Sequence, residues 1–310
     1  MSAIFTVFLT GITSVRAAEI IQLPDAKLFP EGIAINSKGG LYIGSLTEGR
    51  ILYLDPKTHK AHRFIPSGSN GLVSALGLLI NKDGDTLYAC SSDPGMSELK
   101  GSSKPAIVAF DALSGTPRGR FEVPEGGFCN DLTEGPGGLI LATDSLNAKI
   151  YALKPEENGL RTWLSDQRFS GKGFGLNGIT STSGAVYVVK YNSGQLFKIP
   201  MERNGTAGRA VEIQLNRTLK GPDGLKAIGP KKLLVVEGGG LTAGSRGNLS
   251  TISLNDDRGV VKIIADDLNV PTTAVIGDNV AFVVEGQLDH LMDPDAGPPE
   301  AFRIVKVKLD

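Results

Sequence analysis

Short apolar runs recur along the chain, each closed by a turn rich in Gly, Asn or Asp. Such a pattern predicts many short strands rather than helices. Six segments share one plan: a turn, a polar or small residue, an apolar strand, a second turn, and a second apolar strand. They open with "PEGIAINSKGGLYIGS" (30–45), "ALGLLINKDGDTLYACS" (75–91), "CNDLTEGPGGLILATD" (129–144), "LNGITSTSGAVYVVK" (176–190), "PDGLKAIGPKKLLVVE" (222–237) and "PTTAVIGDNVAFVVE" (271–285). The positions of equal phase are Glu31, Leu76, Asn130, Asn177, Asp223 and Thr272, spaced by 45, 54, 47, 46 and 49 residues. A period of this length is that of a four-stranded propeller blade.

Third strands follow in each segment. Outer strands are predicted at 61–66, 118–124, 160–165, 209–215 and 260–265. The sixth repeat reaches the C-terminus with its third strand, so its fourth must come from elsewhere. "EIIQLP" (19–24) fits, pairing with the C-terminal strand at about 301–309. Closure of this kind removes the exposed edges of an open sheet. The expectation is an all-β fold, a six-bladed β-propeller, forming a single domain over residues 19–310.

Composition narrows the functions available. With 32 basic and 33 acidic residues the chain has a net charge of −1, which argues against nucleic acid as a partner. The 40 glycines are scattered, as expected of many tight turns. Residues 3–12 form an apolar run followed by small residues near Ala17, so residues 1–18 are expected to be a signal peptide and the protein to be periplasmic or secreted. The run is too short for a membrane span. Cys90 and Cys129 are the two cysteines, and the expectation favours two buried thiols over a disulfide.

In a propeller the first residue of each innermost strand faces its counterparts across one end of a central channel. Glu31 and Asp223 then bring two carboxylates together with the amide oxygens of Asn130 and Asn177. An oxygen-only set carrying two negative charges suits a hard divalent cation. Calcium is expected ahead of magnesium, manganese or zinc, because neither sulfur nor imidazole is present. Asn and Asp also start strands as turn formers, but four at one phase of a repeat exceed what turns require.

The order "PEG", "ND", "NG", "PDG" resembles the calcium-dependent lactonase family of regucalcin (senescence marker protein) and the gluconolactonases, over about residues 25–309. Diisopropyl-fluorophosphatase and the paraoxonases are similar in the same way. The resemblance implies that Glu31, Asn177 and Asp223 bind a catalytic metal, and that Asn130 lies beside them, touching metal, water or substrate. It also implies catalytic roles for Asp223 and Asn130 in hydrolysis of a small-molecule lactone. The sugar lactonases carry an arginine two residues before the Asn of "ND", and this chain has Phe128 there. Together with Leu76 and Thr272, Phe128 makes the channel mouth less polar and points to a more apolar lactone or ester.

A second ring is expected where the second strands return to the same face: Ser45, Ser91, Asp144, Lys190, Glu237 and Glu285. Lys190 is expected to pair with Glu237 or Glu285, or to touch substrate. Asp144 is expected to support Asn130 or Asn177. His59 and His62 fall between outer strands, whereas His290 lies in an insertion, "DHLMDPDAGPPEA", able to cover one face. The Gly-x-Gly-x-x-Gly match at 173–178 precedes a strand and is no nucleotide loop. The expected activity is metal-assisted hydrolysis of a lactone or ester by a monomer, with Asp223 as base or nucleophile. The alternative is a non-catalytic binding module with a structural cation, presenting the loops at 91–105 and 237–248.

Overall fold

The computed structural model describes residues 19–154, 156–182 and 184–309. The expected signal peptide, residues 1–18, lies outside the described residues. The chain runs through β1 (Glu19–Gln22), β2 (Pro30–Ile35), β3 (Leu41–Ser45), β4 (Ile51–Leu54), β5 (Ala61–Ile65), β6 (Ala75–Ile80), β7 (Thr86–Ser91), β8 (Ala106–Asp111) and β9 (Pro117–Glu122). It continues with β10 (Cys129–Glu134), β11 (Ile140–Asp144), β12 (Lys149–Leu153), β13 (Arg161–Ser165), β14 (Leu176–Ser181), β15 (Ala185–Lys190), β16 (Gln195–Pro200) and β17 (Val211–Leu215). The remainder is β18 (Pro222–Gly229), β19 (Lys232–Glu237), β20 (Gly247–Asn255), β21 (Arg258–Leu268), β22 (Pro271–Gly277), β23 (Val280–Glu285), a single helical turn α1 (Asp289–Met292), and β24 (Arg303–Lys308).

The strands form an all-β propeller. Four sheets have four strands each: β2–β5, β6–β9, β10–β13, and the sheet ordered β1-β24-β23-β22. The fifth has eight strands, in the order β14-β15-β16-β17-β21-β20-β19-β18. It consists of two antiparallel meanders joined by a short parallel contact of β17 with β21, Gln214 opposite Arg258 and Leu215 opposite Gly259. This join departs from the separate sheets that the repeat predicts. Its cause is the length of β21, whose start runs past the outer strand of the preceding meander. The expected closure is present: β1 pairs antiparallel with β24, from Glu19 opposite Lys306 to Gln22 opposite Arg303.

The first strands build the centre. β2 packs on β6, β6 on β10, β10 on β14, β14 on β18, β18 on β22, and β22 on β2, which closes a ring. Each of the six bears a register irregularity at the same phase, for example between Pro30 and Ile33, Cys129 and Leu132, and Pro222 and Leu225. A bulge leaves a residue out of the ladder and re-aims its side chain. The residue released is the one that the repeat singles out.

Neighbouring first strands approach so closely that glycine is required after several of these residues. A Cβ on Gly32 would lie 2.0 Å from the Leu76 carbonyl oxygen, and one on Gly178 would lie 2.1 Å from that of Asp223. Between the sheets, alternate positions bury Ile, Val, Leu and aromatic side chains; the largest cluster includes Ile33, Ile43, Ile107, Leu132, Tyr151 and Phe302.

The cysteines correct the sequence reading. Cys90 in β7 and Cys129 at the start of β10 form a disulfide, with their Cα atoms 5.2 Å apart. The contact of the second and third sheets brings them together across 39 residues of chain. Among the described residues, no helix is long and apolar enough to cross a membrane.

Candidate functional site

A pocket opens at the end of the ring where the first strands begin. Glu31, Asn130, Asn177 and Asp223 all line it, as do Leu76 and Thr272 of the same repeat phase. The four oxygen-bearing residues also line a smaller chamber deeper in the channel, with Asp131, Lys226 and Thr273. They therefore form the partition between mouth and channel. Each is 5–8% exposed.

The neighbouring strands hold these side chains in place. The Asn130 amide donates to Ser145 Oγ at 3.0 Å, which leaves its oxygen free to face the pocket. Ser145 Oγ donates to the Leu176 carbonyl at 2.5 Å, and Thr143 Oγ1 to the Asn177 carbonyl at 2.7 Å, so β11 and the turn residue after it brace β14 at Asn177. Thr272 Oγ1 donates to the Glu31 carbonyl at 2.9 Å and ties the last sheet to the first.

The electrostatics are those of a site with too much negative charge. Burial, then the charges of Asp223 and Asp131, push the Glu31 carboxyl well above the usual range; Lys226 opposes this. Burial and Asp131 push Asp223 up in the same way, against a hydrogen bond from Asn177. Buried Glu31 Oε2 and Asn130 Oδ1 have no hydrogen-bond partner among the described residues. A buried polar oxygen without a partner costs about 1–3 kcal/mol, so the set fits a group that accepts oxygen ligands and brings positive charge. The ammonium of Lys226 does not fill that role. It sits on the channel side, 3.5 Å from Asp131 Oδ2.

The expected second ring does not surround the pocket. Phe128 lines it, but Asp144, Lys190, Glu237 and Glu285 do not. Asp144 Oδ1 instead accepts from the backbone N–H groups of Phe128, Leu146 and Asn147 at 2.9–3.0 Å, and supports neither Asn130 nor Asn177 directly. Lys190 donates to the Arg168 carbonyl at 3.0 Å. Glu237 pairs with Arg217 at 2.6 and 2.8 Å and Glu285 with Arg303, rather than either with Lys190. Asp144, Lys190 and Glu237 fasten loops that connect sheets, and Glu285 joins its cross-strand neighbour Arg303 and accepts from the Asn269 N–H at 2.9 Å. His59 and His62 are exposed. His290 Nδ1 bonds the Gly297 carbonyl at 2.9 Å, inside its own loop.

Several pocket residues are absent from the sequence reading. Asp131 lies beside Asn130 in "ND", and Lys226 three residues after Asp223. By simple alternation Lys226 would point away from the channel, but the bulge between Pro222 and Leu225 resets the alternation. Tyr191 lines the pocket, and burial together with the charge of Asp223 pushes its phenol up. The insertion after β23 covers the mouth through Leu288, Leu291 and Met292, and Asp293 Oδ2 latches it to the Ala243 N–H at 2.9 Å. Only its place in the chain marked it as a cover.

Solved structures with this architecture are numerous. A gluconolactonase from Xanthomonas campestris superposes with a TM-score of 0.65 at 15% identity, covering 94% of this chain and 90% of its own. The likeness shows a shared propeller fold. A virginiamycin B lyase from Staphylococcus aureus gives 0.61 at 14% identity, covering 94% and 99%. The major Malassezia sympodialis allergen Mala s 1 gives 0.68 at 15%, covering 93% and 96%. The family model for the N-terminal part of strictosidine synthase-like proteins matches residues 13–54, a stretch that contains Glu31. No curated protein sequence matches the chain.

Proposed function

We propose that the protein is a metal-dependent hydrolase of lactones or related esters, built on a six-bladed propeller. The observation that carries the reading is the partition at the channel mouth: two buried carboxylates and two amides, with Glu31 Oε2 and Asn130 Oδ1 buried and without a hydrogen-bond partner among the described residues. The six-blade count is supported by the closed ring of first strands with bulges at one phase. The gluconolactonase among its structural neighbours agrees with the chemistry.

Glu31, Asn130, Asn177 and Asp223 would hold the cation, with calcium ahead of magnesium because the donors are all oxygens from separate strands. When bound, it supplies positive charge for the carbonyl oxygen of the scissile ester. Asp223 borders the pocket and is the group that activates water as a base or attacks the carbonyl itself. Asn177 donates to Asp223 and fixes its orientation. Ser145 holds the Asn130 amide so that its oxygen faces inward. The apolar wall at Phe128 limits water around the reacting groups.

The substrate is a small molecule and the protein acts as a monomer, a single domain over residues 19–310. A signal peptide over residues 1–18 and a periplasmic or secreted location agree with the disulfide, which persists in oxidising compartments. The test is Asp223→Asn assayed against a panel of lactones and esters. A folded variant without activity supports the reading; a variant as active as the wild type overturns it and favours a binding module. Single turnover in labelled water separates the two roles of Asp223, because only the nucleophile acquires label.

A further inference from the structure

The wall of the pocket has almost nothing with which to recognise a polyhydroxylated substrate. Above the four-residue partition the lining is Leu46, Met96, Phe128, Phe174, Leu241 and the cover residues around Leu291. The rings of Phe128 and Phe174 pack against each other, with centroids 5.2 Å apart, and form one side. The hydroxyl of Thr272 is already engaged with the Glu31 carbonyl. Tyr191 carries the other side-chain hydroxyl in the lining, and no hydrogen bond joins its phenol to another described residue. A sugar lactone buried here would leave most of its hydroxyls unpaired, and a site without partners rejects such groups.

Resting on the hydrolase reading, we propose that the substrate is a lactone or ester whose body beyond the reacting group is apolar: an alkyl chain or aromatic ring. The apolar part lies between the Phe128–Phe174 pair and the cover of Leu241, Leu288 and Leu291. The ester group lies at the partition, within reach of the Tyr191 phenol as hydrogen-bond donor. Asp293 holds that cover over the mouth through the Ala243 N–H.

The experiment uses two matched series. One is γ-lactones with side chains lengthened one methylene at a time, assayed for hydrolysis alongside gluconolactone. The other is the corresponding γ-lactams, which mimic the shape without being turned over, measured by calorimetric titration. Each methylene is expected to raise kcat/KM and lactam affinity roughly fourfold until the pocket is filled, and Leu291→Ala is expected to weaken the long-chain lactams several-fold while sparing the shortest. If the lactams bind with this dependence but no lactone is hydrolysed, the apolar pocket stands and the hydrolase reading fails. If lactones are hydrolysed with no gain per methylene, or gluconolactone is the better substrate, this proposal is overturned and the hydrolase reading survives. Absence of both lactam binding and lactone turnover overturns the two together.

Discussion

Replacing Gly32 with alanine tests the ring on which the site is built. The added Cβ would lie 2.0 Å from the Leu76 carbonyl oxygen and 2.9 Å from its carbon. Relief to an ordinary contact requires the two first strands to separate by at least the difference between 2.0 and 3.0 Å. The obstacle is backbone, so no side-chain rotation can absorb it. Overpacking a core by one group typically costs 1–3 kcal/mol, and a backbone seam belongs at about 3 kcal/mol or above. With an unfolding entropy of about 2.1 cal/mol/K per residue, a chain of this length loses roughly 5 °C of melting temperature for that cost. Gly159→Ala is the control: a Cβ there meets nothing within 4 Å, and the position has no positive φ. It should change stability by no more than about 0.5–1 kcal/mol. Thermal unfolding followed by circular dichroism compares them. A Gly32→Ala protein melting within 1 °C or so of the wild type would refute the close approach of β2 and β6, and with it the placement of Glu31.

Two further outcomes follow from the buried charges and the disulfide. Glu31 and Asp223 have folded-state pKa values raised above their unfolded ones, chiefly by burial. The metal-free fold therefore binds more protons than the unfolded chain above the ordinary carboxylate range, and its stability falls as pH rises from there through the raised values. Asp223→Asn should flatten that fall and leave the metal-free protein more stable than the wild type at neutral pH in denaturant titrations; an unchanged slope would show that the fold does not hold a proton on Asp223. Reducing the Cys90–Cys129 bond frees a loop of 39 residues, for which chain entropy predicts a loss on the order of 4 kcal/mol. Dithiothreitol should lower the melting temperature by several degrees, and a Cys90→Ser, Cys129→Ser double variant should no longer respond to it.

Much of the ring was legible because it repeats. Glu31, Asn130, Asn177 and Asp223 occur at one phase of a strand–turn–strand period, and that phase coincides with the bulge of each first strand. The second ring was legible in register but not in direction. Asp144 lies opposite Cys129, Lys190 opposite Leu176, Glu237 opposite Pro222 and Glu285 opposite Pro271. Residues directly opposite share a face, so Asp144, Lys190 and Glu237 face with Cys129, Leu176 and Pro222, none of which lines the pocket, and Glu285 is drawn off by Arg303. The disulfide and the Lys226–Asp131 pair were not legible, because each depends on contact between strands of different sheets. The apolar cover was visible only as an insertion, since aperiodic sequence does not say what it packs upon.

Whether the four oxygen residues hold a cation is read from the melting temperature after EDTA, followed by titration with calcium and with magnesium. A ligand that binds only the folded state at about 1,000 times its Kd adds about 4 kcal/mol, or roughly 7 °C for this chain. A saturable rise of this order is expected with calcium, a smaller one with magnesium, and none in Asp223→Ala. No rise with either ion would mean that Glu31, Asn130, Asn177 and Asp223 are strand-starting residues without a ligand, and the hydrolase built on them would fall.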